Sequence, residues 1–257
     1  MIEGIVFDLD GTLYRGDEPV PGAADFVAAA REKGVRCLFV TNRSSRAPEE
    51  VADQLNGLSI PCEPGDVLTS AQAAAEWLGG KSVFMIGGDG LKTALLERGV
   101  RLTELAPDAV VVGYDEELTY EKLARACLLI AAGARFIGTN PDRAIRTERG
   151  LLPGAGSILA ALETATRVKP TIVGKPEPRI MTQALARFGL PADRALAVGD
   201  NLDTDIPAGA RAGMRTALVL TGVSTRADLA AAAVRPDIVA EDYAELARLV
   251  WGGGCDQ

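Results

Sequence analysis

The 257-residue chain contains no histidine. That absence removes Ser-His-Asp hydrolases, His–Cys nucleophile pairs, phosphohistidine phosphatases and His-ligated metallohydrolases in one step. Any acid–base chemistry then falls to carboxylates. Cysteine is scarce: Cys37, Cys62, Cys127 and Cys255 are widely scattered and form no C-x-x-C pair. Neither a disulfide framework nor a zinc site is expected, and the thiols read as the reduced ones of a cytoplasmic protein. Long apolar runs are missing as well. The first begins at Ile2 and is broken by Glu3, Asp8 and Asp10, so no secretory signal and no membrane span are expected. Basic charge is not in excess either. A formal net charge of −8 argues against nucleic acid or an anionic membrane as partner, because both need a basic face. Any phosphate held by this chain must be held by a local site.

What is present is ordinary for a globular chain: 47% hydrophobic and 24% charged residues, enough for a sizeable core in one or two domains. Short apolar runs alternate with helical patterns. Strands are expected at 3–8, 35–40, 82–86, 109–113, 134–138, 194–199, 215–220 and 237–240. Helices are expected at 22–33, 48–56, 69–78, 91–98, 119–132, 155–166, 178–188, 204–212 and 242–250. Such alternation predicts an α/β fold with a Rossmann-like, mostly parallel sheet core flanked by helices.

Ligands on open α/β sheets bind outside the carboxyl ends of the strands. Polar punctuation falls at three such ends: Asp8-Leu9-Asp10, Thr41-Asn42 and "VGDNLDTD" at 198–205; a fourth, "VGKPEP" at 173–178, precedes the helix leading to the last. Asp8 and Asp10 stand two residues apart on a strand, so their side chains point the same way. Like charges side by side are unfavourable unless something cationic lies between them. Spacing also locates the domains. Asp10 to Thr41 has room for one turn, one helix and one strand, whereas Thr41 to Lys175 holds several strands and helices. A smaller α/β domain is therefore expected to be inserted, with joints near 79–80 and 170–174: core 1–78, insert 79–169, core 170–257.

Together the four stretches resemble the haloacid dehalogenase superfamily: "DLDGTL" its first motif, "VTN" its second, "GKP" its third and "GDNLDTD" its fourth, in order. The insert resembles the large α/β cap of the branch that includes 4-nitrophenyl-phosphatase-like, phosphoglycolate, pyridoxal-phosphate and nucleotide phosphatases. The resemblance implies a Mg²⁺-dependent phosphomonoester hydrolase of small organic phosphates. Asp8 would be the nucleophile. Asp10 would protonate the leaving oxygen and then activate water. Thr41 and the Asn42 backbone amide would hold the phosphoryl, with Lys175 neutralising its charge. The Asp8 carboxylate, the Asp10 carbonyl and Asp200 would ligate Mg²⁺, while Asp205 would orient the metal's surroundings or Lys175. The physical reading agrees: a carboxylate can attack phosphorus, but at about 4 Å one carboxylate–phosphate charge pair repels by roughly 4 kcal/mol at an effective dielectric of about 20. A hard divalent cation with oxygen ligands removes that barrier, and Mg²⁺ is the usual choice beside phosphates.

Other readings stay open at this stage. The same phospho-aspartate could serve a phosphotransferase or mutase, or a non-catalytic phosphoacceptor. The Asp pair before Gly-Thr could be a turn and helix cap. Thr204 or Asp205 could cap the next helix, and Asp203 reads as a surface turn residue. Cys37 to Arg43 has the C-x-x-x-x-x-R spacing of cysteine phosphatases, although "LFVT" reads as a buried strand. "GGDG" at 87–90 reads as a strand-to-helix turn and "GAGS" at 154–157 as a helix start. Residues 139–153, with Asn140, Asp142, Arg143 and Arg146, are the expected loop touching the leaving group. The expected partner is a small phosphate ester, with a homodimer left open.

Overall fold

The computed structural model describes residues 1–147 and 149–252, and the side chain of Arg146, like Cys255, lies outside what it describes. The described residues divide into two units: 1–41, 48–68 and 176–252 form one, and 42–47, 69–147 and 149–175 form the other.

In the first unit, near-continuous apolar runs make strands buried on both faces. Gly4–Phe7, Ala195–Gly199 and most of Arg36–Thr41 and Arg215–Val219 are fully buried. This is the pattern of a parallel sheet covered by helices. The strand order is Ile238–Ala240, Arg215–Val219, Ala195–Gly199, Gly4–Phe7, Arg36–Thr41 and Val67–Thr69. Gly4–Phe7 pairs in parallel with both Arg36–Thr41 and Ala195–Gly199. The chain thus builds outward on one side of Gly4–Phe7, then returns to build outward on the other. That reversal is a topological switch point, and ligands on open α/β sheets bind outside the carboxyl ends of the strands at such a point, here those of Gly4–Phe7 and Ala195–Gly199. Asp8 and Asp200 follow those two strands.

Helix Ala23–Glu32 buries Ala23, Phe26, Val27 and Ala30, an i, i+3, i+4, i+7 stripe. Helix Tyr243–Trp251 is capped by the Asp242 side chain, which accepts from the Glu245 N–H at 2.8 Å. Their rings meet in the core: Phe26 lies 5.4 Å from Tyr243 and 6.1 Å, edge-on, from Phe7.

The second unit has its own parallel sheet, in the order Thr171–Ile172, Arg135–Gly138, Ala109–Val112, Ser82–Ile86 and Arg101–Leu102. Its separate core includes Phe84, Val110, Val112, Ile130, Phe136 and Leu159. The unit begins earlier and ends later than the expected joints. Helix Ser70–Leu78 packs on helix Asp89–Glu97, and Thr171–Ile172 pairs with Arg135–Gly138. Elements absent from the sequence expectation are the hairpins Tyr14–Arg15/Glu18–Pro19 and Ala144–Thr147/Gly150–Pro153, and the strands Val67–Thr69, Arg101–Leu102 and Thr171–Ile172. Runs of two to four residues carry no readable period.

Candidate active site

Asp8 continues the central strand, and its N–H donates to Val198 O at 2.8 Å. It is half-buried, whereas Asp10 is exposed. Asp200 follows Ala195–Gly199 and is 1% exposed, and Asp205 opens helix Asp205–Arg211 at 3%. Asp8, Asp200 and Asp205 each present a carboxylate oxygen, all within 4.8 Å of one another.

Asp200 carries the strain of this arrangement. Burial above all, then the charges of Asp8 and Asp205, push its carboxyl up to about 8. Opposing that, Asp200 accepts from the Val223 N–H at 2.6 Å and from Thr12 Oγ1 at 3.1 Å. Thr12 Oγ1 also lies 3.3 Å from Asp8 Oδ2, and with one proton to give it serves one carboxylate at a time. Asp205 Oδ2 accepts from the Asn201 N–H at 3.1 Å. Thr204, at the N-cap position, makes no side-chain cap; its Oγ1 donates instead to Asp205 Oδ1 at 3.4 Å. Asp203 is exposed, and its N–H donates to Asn201 Oδ1, as a surface turn residue should.

Two glycines let the backbone close on Asp200. A Cβ at Gly11, where φ is 86°, would stand 2.4 Å from Asp200 Oδ2, and one at Gly222 would stand 1.9 Å away. No side chain fits at either position.

Thr41 ends strand Arg36–Thr41 and is buried. In the second unit, the Asn42 side chain and the Lys175 backbone are joined reciprocally. The Lys175 N–H donates to Asn42 Oδ1 at 2.8 Å, and Asn42 Nδ2 donates to Lys175 O at 3.0 Å. Lys175 itself is 2% exposed. Asn42 O accepts from Ser70 Oγ at 2.6 Å and from Asn140 Nδ2 at 2.8 Å, while Asn42 Nδ2 lies 3.3 Å from both Asp142 carboxylate oxygens. Asn140 is therefore a buried residue bonded to Asn42, not a surface one; Arg143 is exposed.

The cysteine alternative has no support in the geometry. Cys37 lies within the ladder opposite Ile5, and burial pushes its thiol up to about 11, leaving it protonated near neutrality. Gly87-Gly88 precede helix Asp89–Glu97, and Gly154 precedes helix Ala155–Thr166, so both glycine clusters are helix starts.

Sequence reasoning missed the segment 221–224 and Tyr243. Thr221 Oγ1 donates to Gly11 O at 2.8 Å, the Ser224 N–H to Asp200 O at 3.1 Å, and Tyr243 Oη to Thr12 O at 3.1 Å. "TGVS" at 221–224 lies just beyond a strand's carboxyl end, the same signal that located the other stretches. Tyr243 offers no such local cue.

A family model described as haloacid dehalogenase-like hydrolase matches residues 5–101, and a second, described as HAD-hydrolase-like, matches 172–246. The 5'-nucleotidase YutF of Bacillus subtilis is 47% identical over 228 residues, covering 87% of this chain and 89% of that protein. The chain belongs to the haloacid dehalogenase-like hydrolases. Its relatives there are phosphatases. A solved structure of a thermostable p-nitrophenylphosphatase mutant from Bacillus stearothermophilus is 44% identical with a TM-score of 0.87, over 95% of this chain and 97% of that one. The glycerol phosphate phosphatase of Mycobacterium tuberculosis, in complex with calcium, is 41% identical with a TM-score of 0.89, over 95% of this chain and 74% of that one. Among the described residues of this haloacid dehalogenase-like hydrolase, no helix is long and apolar enough to cross a membrane.

Proposed function

We propose that this chain is a Mg²⁺-dependent phosphomonoester hydrolase of small organic phosphates, working through an aspartyl-phosphate on Asp8. The observation that carries the reading is the convergence of Asp8, Asp200 and Asp205 with Asp200 buried among them. Three carboxylates so close are unfavourable without a cation, and an all-oxygen donor set with no histidine suits a hard divalent ion. The carboxylates of Asp8 and Asp200 with the Asp10 carbonyl would hold it, and Asp205 would steady the arrangement through the Asn201 turn. When bound, the ion offsets the repulsion between carboxylate and phosphate that otherwise blocks attack.

In the first half-reaction an Asp8 oxygen attacks phosphorus and the bond to the leaving oxygen breaks. Asp10, exposed and therefore accessible to solvent, gives that oxygen its proton. In the second, Asp10 takes a proton from water, the water oxygen bonds to phosphorus, and the Asp8–phosphorus bond breaks. Inorganic phosphate leaves and both carboxyls return to their starting states. The Thr41 hydroxyl and the Asn42 N–H would hold the phosphoryl oxygens, and the Lys175 ammonium would balance their charge. Engagement of the Asn42 side chain with Lys175 leaves this role to its backbone amide.

The inserted unit would act as a cap that selects the leaving group, with residues 139–153 as its contacting loop. Relatives named for a nucleotide, 4-nitrophenyl phosphate and glycerol phosphate support a small organic ester as the substrate class. The test is phosphate release from a panel of such esters. Turnover should require Mg²⁺ and vanish in excess chelator; full turnover in chelator would end the metal reading.

A further inference from the structure

Two consecutive carbonyls in the loop behind Asp8 are taken by side-chain hydroxyls from distant parts of the chain. Thr221 Oγ1 donates to Gly11 O at 2.8 Å, and Tyr243 Oη donates to Thr12 O at 3.1 Å. Both donors are buried, Thr221 at 8% and Tyr243 at 1% exposure. The residue whose carbonyl Tyr243 holds is the residue whose hydroxyl lies between Asp8 and Asp200, at 3.3 and 3.1 Å.

Each donor is itself fixed. Tyr243 is the first residue of its helix, which Asp242 caps, and its ring packs on Phe26. Thr221 offers its own carbonyl to Arg15 Nε. The loop between is tight, with Gly11 N–H donating to Tyr14 O at 2.7 Å and Leu13 N–H to Leu9 O at 2.7 Å. Repulsion among the three carboxylates pushes Asp8 and Asp200 apart, so something must hold the loop in register. Phosphoryl transfer tolerates little misplacement, and an error of about 1 Å can cost about 100-fold in rate.

We propose that Thr221 and Tyr243 form a two-point hydroxyl clamp that positions Asp8 and Asp200 for phosphoryl transfer, acting through the backbone of Gly11-Thr12. Neither touches the reacting atoms; both are positioning residues. The inference rests on the function proposed above for Asp8 and Asp200. It adds that helix Tyr243–Trp251, which carries none of the four motifs and lies 231 positions from Thr12 in sequence, sets the geometry of the nucleophile.

The test compares Tyr243→Phe, Thr12→Val and the double variant with the parent, reading kcat and KM on 4-nitrophenyl phosphate, Mg²⁺ affinity by calorimetry, and Tm. Tyr243→Phe keeps the ring and its packing. It should lower kcat by about 10-fold or more with KM within about 2-fold, and weaken Mg²⁺ binding several-fold. Thr12→Val removes the hydroxyl but keeps the carbonyl that Tyr243 holds, so Tyr243→Phe should lower kcat further in that background. Leu55→Ala empties core packing under helix Pro48–Gly57, which carries neither hydroxyl donor, and should lower Tm while kcat, measured below its melting range, stays within about 2-fold. Parental kcat and Mg²⁺ affinity in Tyr243→Phe would overturn the clamp. If the parent hydrolyses no phosphate ester, the functional reading fails, and Mg²⁺ affinity in the variants then decides the clamp by itself.

Discussion

Burial, Asp8 and Asp205 together push the Asp200 carboxyl up to about 8, well above its ordinary value. The consequence for stability has a definite sign. A group whose folded value is raised contributes stability that is intact below its ordinary value and is lost as pH rises through the folded one. Metal-free protein should therefore lose Tm between about pH 5 and about pH 8, as Asp200 ionises against its neighbours. Added Mg²⁺ must displace that proton at low pH but not at high pH, so its stabilising effect should be larger at about pH 8 than at about pH 5. Thermal melts at both pH values, with and without Mg²⁺, check this; an equal or smaller Mg²⁺ effect at the higher pH contradicts it. At this scale the sequence made Asp8 and Asp200 candidates because each directly follows an apolar strand, with Asp10 two residues beyond Asp8 in the same motif. It could not display Thr12 as a bridge or Tyr243 as its anchor. Those roles depend on a hydroxyl and a carbonyl brought together across 231 positions of chain.

Among the elements, strands buried on both faces were legible because "GIVF" and "ALAVG" are continuous apolar runs bounded by polar residues. The two-residue strands Arg101–Leu102 and Thr171–Ile172 were not, since pairing with a neighbour, not a local pattern, defines them. A device repeated in both sheets was equally hidden. Asp237, just before strand Ile238–Ala240, accepts from the N–H and the hydroxyl of Thr216 at 2.8 and 3.0 Å. Asp108, just before Ala109–Val112, does the same for Ser82 at 2.8 and 2.8 Å, which holds its carboxyl below the ordinary carboxylate range. Each carboxylate ties the start of one strand to the next; Asp237 does so at the amino edge of the first sheet, opposite the carboxyl ends that Asp8 and Asp200 follow. Asp237→Ala should thus destabilise the protein by about 1–2 kcal/mol, from two lost hydrogen bonds to a charged acceptor. Denaturant melts read that loss, and kcat below the transition should match the parent; a fall in kcat would show that this edge is coupled to the chemistry.

For the whole molecule, spacing made an insertion the expectation, since too many elements separate Thr41 from Lys175 for one crossover. That helix Ser70–Leu78 groups with the second unit through packing on Asp89–Glu97 is a non-local fact that no sequence pattern announces. Separate cores make a specific expectation for a chain in which a short linker replaces residues 79–169. It should keep the first core, melt lower because Ser70–Leu78 loses its packing partner, release phosphate slowly from small esters and lose preference among larger ones. A folded, shortened chain that ranks a panel of esters as the parent does would remove the cap from substrate selection. The central claim is that phosphate passes through Asp8, and one measurement reaches it directly. In Asp10→Asn the amide can neither protonate a leaving group nor activate water, yet 4-nitrophenolate departs without a proton, so the first step should proceed and the second should stall. Mass spectrometry of the acid-quenched variant, after incubation with 4-nitrophenyl phosphate and Mg²⁺, should find one phosphoryl group on the peptide carrying Asp8 and none when Asp8 is Asn. Phosphate on the Cys37 peptide, or undiminished turnover with Asp8 replaced, would contradict the account.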